Sequence, residues 1–236
     1  MRRIWRNRRP ARIPGGAMSP SPTGGEPWER LLLSAYSLID SVQDSLSTPL
    51  SWSLGGGTVL MLRIHHRRSK DIDIFIDNPQ LLGLFNPRVT DAAQDITSDY
   101  SEGSNFVKLF LPAGEIDIVV APSLVPNPTL SSQLLDRGVQ LERSAEIIAK
   151  KMWHRGDRVT ARDLFDLAAV YELDRSELDI AAPFMARNAN AFLQQIRERR
   201  AILQAEFNAI DRLDFTRSYD ECVDIAHAAM STRGCG

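Results

Sequence analysis

The run Asp71-Ile72-Asp73-Ile74-Phe75-Ile76 opens with two carboxylates alternating with isoleucines, and few folds accommodate that pattern. Side chains alternate faces along a strand, so Ile72, Ile74 and Ile76 anchor one face in a core while Asp71 and Asp73 share the other. Their Cα atoms are then roughly 6–7 Å apart. Two carboxylates at that separation can hold hard divalent cations, and a metal pair can clamp the attacking and leaving oxygens of a phosphoryl transfer. Upstream lies Gly55-Gly56-Gly57-Thr58. Its glycines let backbone approach a phosphate closely, and a helix N-terminus directly behind them favours anions. Alone, Asp-x-Asp is common at strand ends and a glycine run is usually a turn. In this order and spacing they describe a site for a nucleoside triphosphate.

Between the two patches, Thr58 to Ile64 has the apolar spacing of a short helix. Arg63, His65, His66, Arg67, Arg68, Ser69 and Lys70 follow. This basic stretch has two readings: a cationic rim for phosphates of a nucleotide or an acceptor RNA, with Arg68 and Ser69 at the nucleotide, or a solvated turn that balances the aspartates. His65 and His66 are adjacent in a loop and are not expected to converge on one ion.

The remaining chain supplies a frame and two further candidates. Residues 28–46 have helical periodicity that Pro49 terminates, and Leu50 to Leu54 is a short strand entering the glycines. Residues 79–96 read as a helix interrupted by Gly83 and Pro87. Phe106 to Leu111 and Glu115 to Val120 are strands around the turn Pro112-Ala113-Gly114. On the second strand Asp117 opposes Ile116 and Ile118. If this strand lies beside Asp71–Phe75, Asp117 adds a third carboxylate to the same face; Glu115 shares its parity and competes for the role. Residues 122–132 are rich in Pro and Ser and mark a boundary. A short extended piece, Val139 to Leu141, precedes Ser144, a candidate cap for a helix from Glu146 to Trp153 that Gly156 stops. A second helix runs from about Thr160 to Leu173, with Asp163 and Asp166 on one face and Leu164, Leu167 and Ala168 packing the other. Lys151 is the lysine of interest, because an ammonium aimed at a metal–phosphate centre neutralises developing charge. From Ser176 onward the pattern is helical with no evident chemistry, and Arg197 to Arg200 reads as a solvated run.

The net charge of -2 conceals an asymmetry. Residues 1–12 hold six arginines and no acid, so the rest of the chain carries -8. A body that acidic is not a general nucleic-acid binder, and RNA contact would need a local basic patch or the arm. The arm runs into Pro, Gly and Ser through residue 27, a composition that cannot bury enough surface to fold. It reads as an RNA-contacting arm, a disordered leader, or a start placed ahead of a true start at Met18. Cys222 and Cys235 suit a reducing cytoplasm, and no apolar run reaches the ~18 residues of a membrane span.

These patches resemble the AbiEii/AbiGii-type toxin nucleotidyltransferases, within the polymerase-beta-like nucleotidyltransferase superfamily. The resemblance is carried by Leu54-Gly55-Gly56-Gly57-Thr58-Val59-Leu60 with Arg67-Arg68-Ser69-Lys70-Asp71-Ile72-Asp73-Ile74-Phe75, by Ile116-Asp117-Ile118, and by Glu146-Ile147-Ile148-Ala149-Lys150-Lys151 with Arg162-Asp163-Leu164-Phe165-Asp166-Leu167. It spans roughly residues 50–173. It implies an α/β fold, a nucleotidyltransferase-like mixed sheet with flanking helices, followed by a mostly α-helical C-terminal half. The expected divisions are a disordered arm at 1–27, the core at 28–130 and a helical half at 131–232 that completes the site. Asp71 and Asp73 would hold one or two Mg²⁺ ions. Gly56, Gly57 and Thr58 would cradle the triphosphate. Lys151 would contact phosphates, with Lys150 the alternative register, and Asp163 would position the lysine or the acceptor. Asp117 would be the third ligand or the base. The implied reaction moves a nucleoside monophosphate from an NTP to an acceptor hydroxyl, on the 3′ end of tRNA in some relatives, in a cytoplasmic toxin paired with an antitoxin. Transfer to a small molecule or a protein side chain, and a binding protein that has lost the chemistry, are the alternatives. The basic extension departs from the family pattern. Threonine after the glycines, where the wider superfamily often has serine, keeps a hydroxyl.

Overall fold

The computed structural model describes residues 25–231. The arginines of residues 2–12, Met18 and Cys235 lie outside the described residues.

The chain opens with helix α1 (Pro27–Asp44), whose Glu26 and Glu29 form a reciprocal capping box. Strand β1 (Trp52–Gly55) passes into helix α2 (Gly56–Ile64), and strand β2 (Ile72–Ile76) returns antiparallel to β1, pairing Gly55 with Asp73. A 3₁₀ turn (Pro79–Phe85) and helix α3 (Asp91–Ile96) lead to β3 (Tyr100–Glu102), β4 (Phe106–Leu111) and β5 (Gly114–Val120). Next come β6 (Thr129–Leu134) and β7 (Arg137–Glu142). The seven strands form one mixed sheet in the order β3-β4-β5-β2-β1-β7-β6. The rest is helical: α4 (Ser144–Arg155), α5 (Ala161–Leu173), α6 (Arg175–Met185), α7 (Ala189–Glu198), α8 (Arg200–Asn208) and α9 (Tyr219–Ser231). A mixed sheet with flanking helices and a helical C-terminal half is thus the observed architecture.

The alternation on β2 behaves as its residues require. Ile72, Ile74 and Ile76 are buried in the core with Ile116 and Ile118 of β5 and the apolar stripe of α1 (Leu31, Leu32, Ala35, Leu38), while Asp73 and Phe75 remain half-buried on the other face. β5 lies parallel beside β2, in the register that sets Asp73 opposite Asp117.

Several local expectations are corrected. β1 begins at Trp52 rather than Leu50, because the ladder with β2 starts at the Trp52–Ile76 pair. Residues 79–96 form no single interrupted helix. Asn78 caps the 3₁₀ turn by accepting from Gln80 N at 3.0 Å, and Pro87, which lacks an N–H, falls in the turn before α3. The division expected between residues 130 and 131 falls inside β6, and the sheet closes only with β7, parallel to β1. Ser144 is the first helical residue rather than the cap. Arg143 occupies the N-cap position without a side-chain capping bond, and the Ser144 hydroxyl donates to Asp174 Oδ2 at 2.9 Å.

In the helical half, α5 buries both faces. Leu164, Phe165, Leu167 and Ala168 enter the core, and Asp163 and Asp166 are buried as well. Phe165 packs edge-on against Phe207 and Phe215, with ring centroids 5.4 and 5.1 Å away. The segment after α8 returns to the loop that follows α2: Arg68 N donates to Asp211 O at 2.8 Å, Leu213 N to His66 O at 2.9 Å and Asp214 N to His65 O at 3.0 Å.

Candidate active site

The cleft lies between the polar face of β2 and β5 and the helices α4 and α5, with a volume of about 1560 Å³. Gly56, Gly57, Asp71, Asp73, Asp117 and Lys151 all line it. So do Arg68 and Ser69, at the rim.

The glycine turn is shaped by what stands behind it. Gly56 has φ +66°, and a Cβ there would collide with the Asp73 carboxylate. A Cβ on Gly57 would come within 2.8 Å of Arg67 Nη2 and 2.9 Å of Ser69 Oγ. Bare backbone at both positions therefore brings the start of α2 onto the carboxylates. Thr58 is placed differently from expectation. It is buried, does not line the cleft, and its hydroxyl donates to Asp71 O at 2.6 Å. The hydroxyl fixes the entry to β2 instead of facing a phosphate.

Three carboxylates share the cleft face. Asp71 Oδ1 accepts from Glu115 N at 3.1 Å, which ties the entry of β2 to β5. Burial pushes the Asp73 carboxyl up; Lys151 and Arg155 work against that and Asp71 adds to it. Burial and the neighbouring Asp73 charge push Asp117 up to about 6 against the pull of Lys108. Lys108, opposite Asp117 in the β4–β5 ladder, places Nζ 3.1 Å from Asp117 Oδ2 and 2.7 Å from Glu115 Oε2. Glu115 therefore serves Lys108. Among the described residues no three His, Cys, Asp or Glu side chains converge tightly enough to hold a metal ion as they stand. An ammonium, that of Lys108, lies against Asp117. Asp117 Oδ1 is nonetheless buried with no partner. An all-oxygen donor set with an orphaned acceptor suits a hard cation, and Asp71, Asp73 and Asp117 are the side chains available to it.

The opposite wall is cationic and rigid. Lys151 Nζ lies 2.7 Å from Asp163 Oδ1 and 3.0 Å from Asp166 Oδ2. Thr160 caps α5 in a reciprocal box with Asp163. Burial would raise Asp163, but Lys151, Arg155 and the Thr160 bond outweigh it and hold the carboxyl below its ordinary value. Lys150 takes another path. Its Nζ lies 2.5 Å from Glu142 Oε1 and 3.3 Å from Glu146 Oε1, and 3.8 Å from the Phe75 ring centroid. Of the two lysines, Lys151 pairs with Asp163, while Lys150 belongs to a buried cluster at the cleft floor.

Three parts of the arrangement escaped the sequence reading. Asp166 is fully buried and gathers three side chains: Arg67 in a two-pronged pair at 2.6 and 2.9 Å, His66 Nε2 at 2.8 Å, and Lys151. The basic stretch is accordingly neither a pure rim nor a solvated turn, since His66 and Arg67 are buried and Arg68 is exposed. Burial lowers His66 below its ordinary value against the pull of Asp166. Glu142 and Lys108 were also missed. The available signal was parity: Lys108 alternates with Val107 and Leu109 on a strand already identified. His65 and His66 diverge as expected, His65 being exposed beside Asp214.

The family described as "Nucleotidyl transferase AbiEii toxin, Type IV TA system" matches residues 47–230. A comparison with curated proteins gives no match. Among solved structures, JHP933 from Helicobacter pylori is 18% identical over 86% of this chain and 93% of that one, with a TM-score of 0.45. The nucleotidyltransferase toxin MenT4 from Mycobacterium tuberculosis is 15% identical over 88% of this chain and 85% of that one, with a TM-score of 0.46. The antibiotic-resistance factor ANT(2'')-Ia is 14% identical over 77% of this chain and 99% of that one, with a TM-score of 0.45.

Proposed function

Because the chain belongs to the AbiEii family of nucleotidyl transferase toxins, we propose that it moves a nucleoside monophosphate from an NTP to an acceptor hydroxyl on RNA, with the 3′ end of tRNA the leading candidate. The observation that carries this reading is the register of β2 and β5. It sets Asp117 beside Asp73, with Asp71 on the same face, opposite the glycine turn and the Lys151–Asp163 pair.

Asp71, Asp73 and Asp117 would hold a divalent cation, Mg²⁺ in the cell. When bound it supplies positive charge to the triphosphate and to the departing pyrophosphate. The chain's own residues do the rest. Gly56 and Gly57 admit the phosphates to the backbone at the start of α2, where the helix N-terminus favours anions. Lys151, pinned by Asp163 and Asp166, presents a fixed positive charge to the leaving group with no reorganisation at the moment of reaction. Asp117, pushed up to about 6 by burial and the Asp73 charge, is more basic than an ordinary carboxylate. The acceptor hydroxyl attacks the α-phosphorus, the bond to the β-phosphate oxygen breaks, and the hydroxyl proton passes to solvent or to a carboxylate of this face.

A polyanionic acceptor is supported by the exposed arginines at the mouth. Arg155, Arg158 and Arg162 line the cleft from the end of α4 and the start of α5. They form a local basic patch on an otherwise acidic body, the requirement for RNA contact set by the charge balance. No helix among the described residues is long and apolar enough to cross a membrane. Membership in a toxin family supports an antitoxin as partner, and a cytoplasmic location is part of the same proposal.

The test is transfer from each labelled NTP, with Mg²⁺, into total RNA and total protein, beside Asp73→Ala. Label in a tRNA-sized band that the variant lacks supports the reading and names the base. Label in protein moves the acceptor to a Ser, Thr or Tyr side chain. Label in neither, with folded protein, removes both macromolecular acceptors.

A further inference from the structure

Lys108 stands where a cation is wanted. β4 is antiparallel to β5 and β5 parallel to β2, so Lys108, Asp117 and Asp73 lie in one row across three neighbouring strands. All three side chains face the cleft. The Lys108 ammonium is shared between Asp117 Oδ2 at 3.1 Å and Glu115 Oε2 at 2.7 Å. The Glu115 contact is the shorter, and Glu115 carries no other side-chain partner among the described residues. Asp117 presents one oxygen to Lys108 and leaves the other buried and unpaired. Asp117 is thus half neutralised by a group with a second place to go.

We propose that Lys108 is an exchangeable clamp: its ammonium neutralises Asp117 when no divalent cation is present and withdraws to Glu115 when one binds, freeing Asp117 to become the third ligand. Without the clamp, Asp117 would lose the one cation in contact with it while Asp73 stands beside it in the strand register. A fixed cation would settle that repulsion but would compete permanently with the metal. Glu115, on the same face of β5 two residues before Asp117, is what makes the cation movable. Lys108 is a positioning residue in this scheme, since it acts through Asp117. The exchange sets a metal concentration below which the third carboxylate is withheld.

The inference rests on the proposed metal reading, and the experiment separates the two. Mn²⁺ serves as the probe, with binding followed by its electron paramagnetic resonance signal, independent of activity. Wild type, Asp73→Ala, Lys108→Met, Lys108→Arg, Glu115→Gln and the double variant Lys108→Met/Glu115→Gln are compared, each checked for a cooperative melt. Wild type that binds no Mn²⁺, or binds it as well as Asp73→Ala does, ends the metal reading itself. If wild type binds through Asp73, the clamp predicts that Lys108→Met tightens the Mn²⁺ Kd roughly fivefold or more. Lys108→Arg retains the wild-type value. Glu115→Gln weakens binding by stranding the ammonium on Asp117, and that loss shrinks in the double variant because no clamp is left to strand. An unchanged or weaker Kd in Lys108→Met overturns the inference. So does a Glu115→Gln effect of equal size in both backgrounds, which would mean simple addition of charges.

Discussion

Arg67 and Asp166, 99 residues apart in sequence, meet in a buried two-pronged pair, with Nε 2.6 Å from Oδ1 and Nη2 2.9 Å from Oδ2. Removing one member of such a pair strands the other charge. Asp166→Ala should cost about 3–5 kcal/mol, measured by urea unfolding. Burial would raise Asp166, but Arg67, Lys151 and His66 hold it well below the usual carboxylate range. A depressed folded-state pKa gives stability that is present above the unfolded pKa and lost as pH falls through the folded one. The stability gap between wild type and Asp166→Ala should therefore stay level from neutrality down to about pH 4 and close only below it.

Glu142 behaves with the opposite sign. Burial, with Glu146 and Asp73 adding to it, pushes the carboxyl up to about 7 despite Lys150. The folded state then holds a proton that the unfolded state has released, so this group's contribution falls as pH rises from the ordinary carboxylate value to about 7. Glu142→Gln should gain in melting temperature relative to wild type across that window and hold level above it. A difference that does not change with pH would contradict the assignment.

Lys151 and Asp163 should act as one unit. Each of Lys151→Met and Asp163→Asn is expected to lower nucleotidyl transfer by roughly 10²–10³-fold. The double variant should be little worse than either single one, because the second substitution removes a partner already idle. Lys150→Met should instead register mainly as lost stability, its ammonium being committed to Glu142 and Glu146. Steady-state rates and melting curves on the same preparations distinguish the two lysines.

Gly56→Ala places a methyl group against the Asp73 carboxylate at φ +66°. It should displace that carboxylate, abolish transfer and cost on the order of 1–3 kcal/mol of stability. Gly83→Ala, with nothing within 4 Å of the added carbon, is the matched control and should leave transfer unchanged.

The mouth arginines should govern the acceptor alone. Arg158→Glu with Arg162→Glu is expected to raise the RNA KM roughly tenfold while leaving the NTP KM near wild type. The variant should also lose part of the wild type's sensitivity to salt. An equal rise in both KM values would place these arginines at the nucleotide instead.

What the sequence disclosed and what it withheld separate along one line. The alternation of Asp71 to Ile76 and the parity of Asp117 are short-range, and both survive in the structure because β2 and β5 pair in register. The partners of Lys150 and Lys151 are near in sequence, but which lysine meets which acid depends on how β7 and α5 pack against α4, and adjacency alone does not say which side of α4 each lysine faces. Asp166 shares a helical face with Asp163 at i+3, which was legible. Its burial was not, because that depends on Arg67, 99 residues earlier in the sequence, meeting it in the fold. The Pro- and Ser-rich stretch near residue 130 read as a linker because β6 is an edge strand with much of its length exposed, so its residues need not alternate with a core. Thr58 misled for a related reason: a hydroxyl after a glycine turn suits a phosphate and a backbone carbonyl equally well.

The backbone bonds from residues 211–214 to residues 65–68 set an order of events during synthesis. The carboxylates of β2 and β5 leave the ribosome well before the segment that secures the Arg67 loop. At ordinary elongation rates of about 5–20 residues per second, several seconds separate the two. A nascent or truncated chain ending before Asp211 carries Asp71, Asp73 and Asp117 but lacks the strap that holds its cationic loop in register. The loop that carries Arg67 is therefore tied down only once residues 211–214 have been made.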